Sequence, residues 1–404
     1  MQDFKFCTAM IQTKSLSYKQ HEKRNVIYLV LLLVLSFQFW GLKPMGNWSN
    51  NAYLIINVAY LAIGYFFLFH YKVTISDKRL KPMWFILLGI FLSMVTANLY
   101  YGQTYITSLL AYRANILWLA IPVLFKMKPT FEQISKSCLI VTAIMYVLYF
   151  VRLGNPGLFA LDDETLMRMQ QGDDVYLEGY VIACVPIFYG LNQLRERFNV
   201  KAVEIIGFCY VYLVILQNRS CLFVMTLLIG YSILKVRSKY RIFLVVIFGA
   251  ILAFFIASMS KEWMGLIQET QQNMGDSDYN RNKAYLYYLT MASPNIWCVL
   301  FGNGFLSSHT TSLMQDLMSY GIYNSDVGFI GYWNNYGLIP IIAFIYTFYL
   351  AIKKEVPYGV KMWCLLLVGC TPTISYFHGA PLIYVFYYYL VIQYSRHYLI
   401  KETK

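Results

Sequence analysis

The sequence predicts an all-α integral membrane protein with about twelve transmembrane helices and one large extracytoplasmic loop, on three observations. Of its 404 residues 58% are hydrophobic and only 13% are charged, against about 25% charged in soluble domains. Apolar runs of about 18 or more residues, each enough to cross roughly 30 Å of hydrocarbon, recur along the whole chain. The basic residues alternate in density from one gap to the next, with 25 of the 33 Lys and Arg falling in every second one.

Taken in order, the apolar runs place spans near 26–42, 51–71, 83–100, 105–125, 134–152, 175–193, 200–217, 220–236, 241–259, 325–351, 358–376 and 380–396. The fourth contains Arg113 and the sixth opens with the polar stretch DDVYLEGY. Cytoplasmic segments of multi-span proteins are enriched in Lys and Arg. The 25 residues therefore set both termini in the cytoplasm, and Lys43, Arg152, Arg168, Arg219, Lys261, Arg281 and Lys283 on the outer side. The net charge of +13 is accordingly an orientation signal and implies no nucleic acid.

The chain divides into 1–259, a cytoplasmic segment with spans one to nine, then 260–324, the large outer loop, then 325–404, with the last three spans and the C-terminus. The first span follows basic residues and lacks a small-residue cleavage site, so it reads as an uncleaved signal anchor. Six of eight cysteines lie in or beside spans, and neither a disulfide framework nor metal-ligand spacing appears. No cofactor is expected. The long loop holds KEWMGLIQETQQN and TTSLMQDLMSY, apolar at three- to four-residue spacing, as interfacial helices are.

Chemistry is expected on the outer face, in four places. Arg219 lies in ILQNRSCLF, a short polar hinge between two spans. A planar guanidinium grips phosphate oxygens with two bonds at once, but it also snorkels toward headgroups; only gripping would reject lysine. The segment YNRNKAYLYYLTMASPNIWCVLFGNGF places Arg281 and Lys283 at the start of a helix and Gly302 and Gly304 in a tight turn. Exposed backbone N–H groups there would suit an anionic sugar phosphate; an ordinary loop turn is the plainer alternative.

The third is NSDVGFIGYWNNYGLIP, which brings Asn324 and Asp326 to the start of a span and Asn334 and Asn335 within it. Asp326 is either a helix cap or a general base on a sugar hydroxyl. The fourth is Arg113, in AYRANILW, which needs a partner such as Glu178 or a watery cavity if it lies in the membrane. His309, in SSHTT, is a further acid/base candidate.

These residues resemble a family. The turn arginine of LQNRSCLF, the arginine leading to Phe-Gly-Asn-Gly, the late large loop and SDVGFIGYWNNYGLIP look like the O-antigen and capsular polysaccharide polymerases, the Wzy group, which are related to the O-antigen ligases. The likeness covers roughly 200–345 in motifs and the whole chain in topology. It implies a fold resembling the GT-C class of membrane glycosyltransferases. It also implies transfer of a glycan from an undecaprenyl (polyprenyl) diphosphate carrier to an acceptor sugar at the outer face of a bacterial inner membrane.

Arg219 and Arg281 would then hold the donor diphosphate, with Arg113 a further candidate, and Lys283, Gly302, Gly304 and Asn324 would line the loop site. A chain-length regulator and a flippase of the same pathway are implied as partners. The ligase pattern has a histidine where this chain has Asp326, counted back from Gly337, and so the catalytic acid/base role is divided between Asp326 and His309. An O-antigen-ligase-type glycan transferase is one alternative, and a flippase or solute transporter is another; transporters carry duplicated halves, and no such repeat is visible here.

Overall fold

The computed structural model describes residues 20–43, 45, 49–68, 78–160, 179–216, 219–236, 240–258, 280–290, 293–306, 311–320, 322, 327–370 and 381–402. Among these residues the chain is helical throughout, and its extended pairing is a single bridge between Leu42 and Phe159. A helix lies at each of the twelve positions expected from hydropathy. Three of them, Asn51–Leu68, Lys78–Tyr101 and Phe131–Gly154, are long and apolar enough by themselves to cross a membrane, and a bent pair, Tyr105–Ala111 with Arg113–Met127, makes a fourth.

The helices are α1 (20–36), α2 (Asn50–Ala62), α3 (Lys81–Tyr101), α4 (Tyr105–Ala111), α5 (Ala120–Met127), α6 (Phe131–Gly154), α7 (Cys184–Glu196), α8 (Val200–Ile215) and α9 (Arg219–Leu234). Then follow α10 (Arg241–Ser258), α11 (Asn280–Thr290), α12 (Ile296–Phe301), α13 (Ser312–Ser319), α14 (Gly328–Tyr336), α15 (Leu338–Ala351), α16 (Tyr358–Cys370) and α17 (Pro381–Glu402).

Their ends follow local rules. Thr130 and Gln133 form a reciprocal capping box at the start of α6. Gln133 also accepts a bond of 3.1 Å from Asn25, which ties α1 to that helix end. Thr104 caps α4, and Gly102 closes α3 in the left-handed conformation.

Two helices form the centre. Residues 382–392 of α17 and the first turns of α7 are buried on every side, as helices apolar all round must be. Around them the outer faces are apolar too: Phe85, Leu88 and Phe91 on α3, Val147, Phe150 and Leu153 on α6, and Ile342 and Ile345 on α15 are all exposed. Such continuous apolar exterior is incompatible with water over that surface, and it fits a membrane protein.

Two expected single spans are interrupted. The fourth is bent by 73° between Ala111 and Arg113, and continues as a 3₁₀ stretch to Leu119. The tenth, expected as one run over 325–351, is divided at Gly337 into α14 and α15. Both interruptions meet at one place, and they build the site described next.

Candidate functional site

The turn after α12 is where the interrupted helices converge. Gly302 (φ +84°, ψ 161°) and Gly337 (φ +75°, ψ −169°) each adopt a conformation open only to glycine. They face one another directly. A Cβ on Gly302 would fall 2.6 Å from the nitrogen of Gly337, and a Cβ on Gly337 would fall 2.6 Å from the nitrogen of Gly302. Gly304 (φ +80°) packs against α3, where a Cβ would lie 2.5 Å from that of Ala97.

This turn does not present its N–H groups to a ligand, as the glycine pair had suggested. Gly302 N–H donates to Cys298 O (2.9 Å), Asn303 N–H to Asn334 O (2.7 Å), Gly304 N–H to Asn335 O (3.0 Å) and Phe305 N–H to the Tyr112 hydroxyl (2.7 Å). All four donors are consumed within the protein, and those of Asn303 and Gly304 join the turn to the C-terminal end of α14, where Gly337 leaves carbonyls free to accept. Close backbone packing is what the two glycines serve.

Side chains extend the junction. Thr96 donates to Gly302 O and Tyr101 to Asn303 Oδ1 (2.9 Å). Gln103 donates to Phe305 O (3.0 Å) and to Ser108 (2.9 Å). Asn115 donates to the Tyr336 hydroxyl (2.9 Å). Tyr112, in the break between α4 and the 3₁₀ stretch, also bonds Ser93 (2.8 Å) and donates to Asn335 O (3.2 Å). The Tyr112 hydroxyl thus ties the break to three further segments, at Ser93, Phe305 and Asn335.

Beside the junction lies a shallow cleft whose free interior is only about 20 Å³, or about 310 Å³ with the open space at its mouth included. Its polar lining comes from Tyr101, Tyr287, Tyr288, Asn303, Asn334 and Asn335, and Leu313, Met314 and Leu317 give it an apolar side. Rings and amides are groups able to contact C–H faces and hydroxyls, and with so small an interior they would meet a ligand lying over the cleft rather than within it. Burial pushes the Tyr287 phenol above its ordinary pKa, which keeps it a neutral hydrogen-bonding group. Cys298, behind the cleft, is likewise pushed up by burial, against weaker opposing bonds from Asn295, and stays a thiol.

The predicted residues divide into three sets. Gly302 and Gly304 form the junction, and Lys283 is half-buried on α11, the helix that packs on α14 and lines the cleft. Arg281 lies on the same helix, although its side chain is outside the description. Arg219 is the first residue of α9, whose principal neighbours are α7, α10 and α16, none of which lines the cleft. Tyr210 and Thr226, hydrogen-bonded at 2.6 Å and placed symmetrically about the hinge, close α8 and α9 into a hairpin with Arg219 at its tip. His309, Asn324, Asp326 and Glu178 lie outside the described residues, as does KEWMGLIQETQQN.

Arg113 serves the helix break. Its Nη1 donates to Leu110 O (3.2 Å) and its guanidinium stacks over Tyr53 at 5.9 Å, covering one of the carbonyls left open where α4 ends. Arg113→Ala is expected to cost about 1–3 kcal/mol, seen as a lower melting temperature in detergent. An unchanged melt with activity lost would instead assign the residue to substrate.

Sequence reasoning passed over Tyr112, Thr96, Tyr101 and Asn303, since nothing local distinguishes them. It also passed over Arg152, which was counted among the outer cations and is 7% exposed, stacked over Phe159 at 5.7 Å. Burial of an arginine is a signal only a structure gives.

Among the described residues no three His, Cys, Asp or Glu side chains gather as a metal site. No family model matches the chain, and no curated protein is detectably similar to it.

Proposed function

We propose that this chain is a polysaccharide polymerase: a membrane glycosyltransferase that joins polyprenyl-diphosphate-linked repeat units on the outer face of a bacterial inner membrane. The observation that carries the reading is the cleft itself. It is lined by tyrosines and amides able to contact a sugar and walled by α11, the helix that bears Arg281 and Lys283. The family resemblance supplies the chemistry. In this reading the chain has twelve spans with both termini cytoplasmic, as the distribution of basic residues implies, and the cleft faces outward.

In this reading an acceptor sugar hydroxyl attacks the anomeric carbon of the lipid-linked chain. The bond from that carbon to the diphosphate oxygen breaks, and polyprenyl diphosphate leaves with the electron pair. Arg219 and Arg281 stabilise the charge that develops on the diphosphate, and the acceptor proton passes to Asp326 or His309. Acceptor sugars lie over the cleft, with Asn303 and Asn334 on hydroxyls and Tyr287 and Tyr288 on ring faces. The bilayer, a flippase and a chain-length regulator complete the working environment.

The test uses purified protein in liposomes with a polyprenyl-diphosphate-linked repeat unit from the host. A ladder of lengthening glycans is expected, reduced by a factor of about 100 or more in Arg219→Ala and Arg281→Ala. Fully active variants would refute the roles given to these arginines.

A second reading, transport, has one observation in its favour. Helices broken within the bilayer mark binding sites in transporters, and the 73° bend at Ala111–Arg113 is such a break. Lipid-linked sugar moving across the liposome wall with no ladder would decide for it.

A further inference from the structure

A second groove lies away from the cleft, between α1 and the end of α2. It encloses about 800 Å³ counted to its open side. Along α1 its lining follows one helical face and changes character within a turn: Gln20, Lys23 and Arg24 at the mouth, then Ile27 and Leu31. From Lys23 to Leu31 the helix rises about 12 Å. Ile27 and Leu31 are 54% and 44% exposed, so the apolar shaft opens to the surroundings.

The floor is built. The rings of Tyr28 and Tyr60 stack at 4.9 Å and 13°. The opposite wall ends at Leu68, on a widened π-helical turn (Ile63–Leu68). That turn brings Gly64 so near Tyr28 that a Cβ would meet the ring carbon of its hydroxyl at 2.8 Å. Among the described residues the charged groups lining the mouth are Lys23 and Arg24, and Glu22 is drawn to Lys136 at 3.6 Å.

We infer that this groove binds an anionic glycerophospholipid, its phosphate held at Lys23 and Arg24 and one acyl chain lying along Ile27, Leu31 and Leu68. Charge complementarity selects the headgroup, and the change from cationic to apolar lining matches the length of an amphiphile. The inference depends neither on the enzymatic reading nor on which side of the membrane the groove faces.

Native mass spectrometry of the full chain, released from detergent with phosphatidylglycerol or chain-matched phosphatidylcholine, tests it. One phosphatidylglycerol should be retained with roughly 30-fold preference, the effect of two interfacial cations. Lys23→Gln with Arg24→Gln should abolish the preference. Lys353→Gln with Lys354→Gln, which removes the same charge elsewhere, should leave it intact. Leu31→Trp should reduce retention of both lipids by filling the shaft. Equal retention of the two lipids, a preference that survives the first pair of substitutions, or no retention because residues 1–19 fill the groove would each overturn the inference.

Discussion

Gly302→Ala and Gly337→Ala are each expected to be among the most damaging single-methyl changes this protein can take. Both residues sit in a backbone region that other amino acids enter at a cost of about 1–3 kcal/mol. Both new methyls would also fall on backbone atoms rather than movable side chains, 2.6 Å from the opposing nitrogen, and overpacking of that kind costs about 1–3 kcal/mol more. The total, about 2–6 kcal/mol, rivals the whole stability of many proteins, about 5–15 kcal/mol. Gly102 separates the two contributions. It too has a positive φ (+68°), yet a Cβ there meets nothing within 4 Å, so Gly102→Ala should cost only about 1 kcal/mol. Thermal melts of the three variants in one detergent give the comparison. If Gly302→Ala melted with Gly102→Ala, the two strands of the junction would not be in contact, and the cleft beside them would lose its wall.

The contrast explains what could be read from the chain and what could not. Helix positions were legible because lipid exposure is a local property: a run such as KPMWFILLGIFLSMVTANLYY declares itself by composition. The interruptions were passed over. Gly337 follows the polar pair Asn334 and Asn335 and precedes Pro340, a local break signal inside a run read as one span, and its encounter with Gly302 shows what the break is for. The turn Phe-Gly-Asn-Gly was recognised as special, but its donors were assigned to a ligand. Their true acceptors, Asn334 O and Asn335 O, lie on the helix end within that run. In the other break attention fell on Arg113, since a membrane cation is conspicuous. Its neighbour Tyr112, one of 37 tyrosines, carries more of the site. Two of its three bonding partners, Phe305 and Asn335, lie about two hundred residues away in sequence, where no spacing rule reaches.

Tyr112→Phe should therefore behave unlike an ordinary loss of one hydroxyl. The Tyr112 side chain is fully enclosed, and its oxygen accepts from Phe305 N–H while its proton goes to Asn335 O. Ser93 bonds the same oxygen at 2.8 Å. Removing the hydroxyl leaves Phe305 N–H without its acceptor, whereas Asn335 O keeps its bond from Gly304 and Ser93 keeps its bond to Ile90 O (2.7 Å). A stranded buried donor costs about 1–3 kcal/mol, so a loss toward the upper end of that range is expected. Tyr146→Phe gives the scale, since that hydroxyl donates to Phe208 O at a more open position, and should cost about 1 kcal/mol. A double-mutant cycle with Ser93→Ala then isolates the junction. Coupling of about 0.5–3 kcal/mol is expected for residues sharing one network. Coupling near zero would mean that α3 and the helix break are held by Thr96 and Gln103 alone, and that the cleft could open by moving Tyr112 without disturbing them.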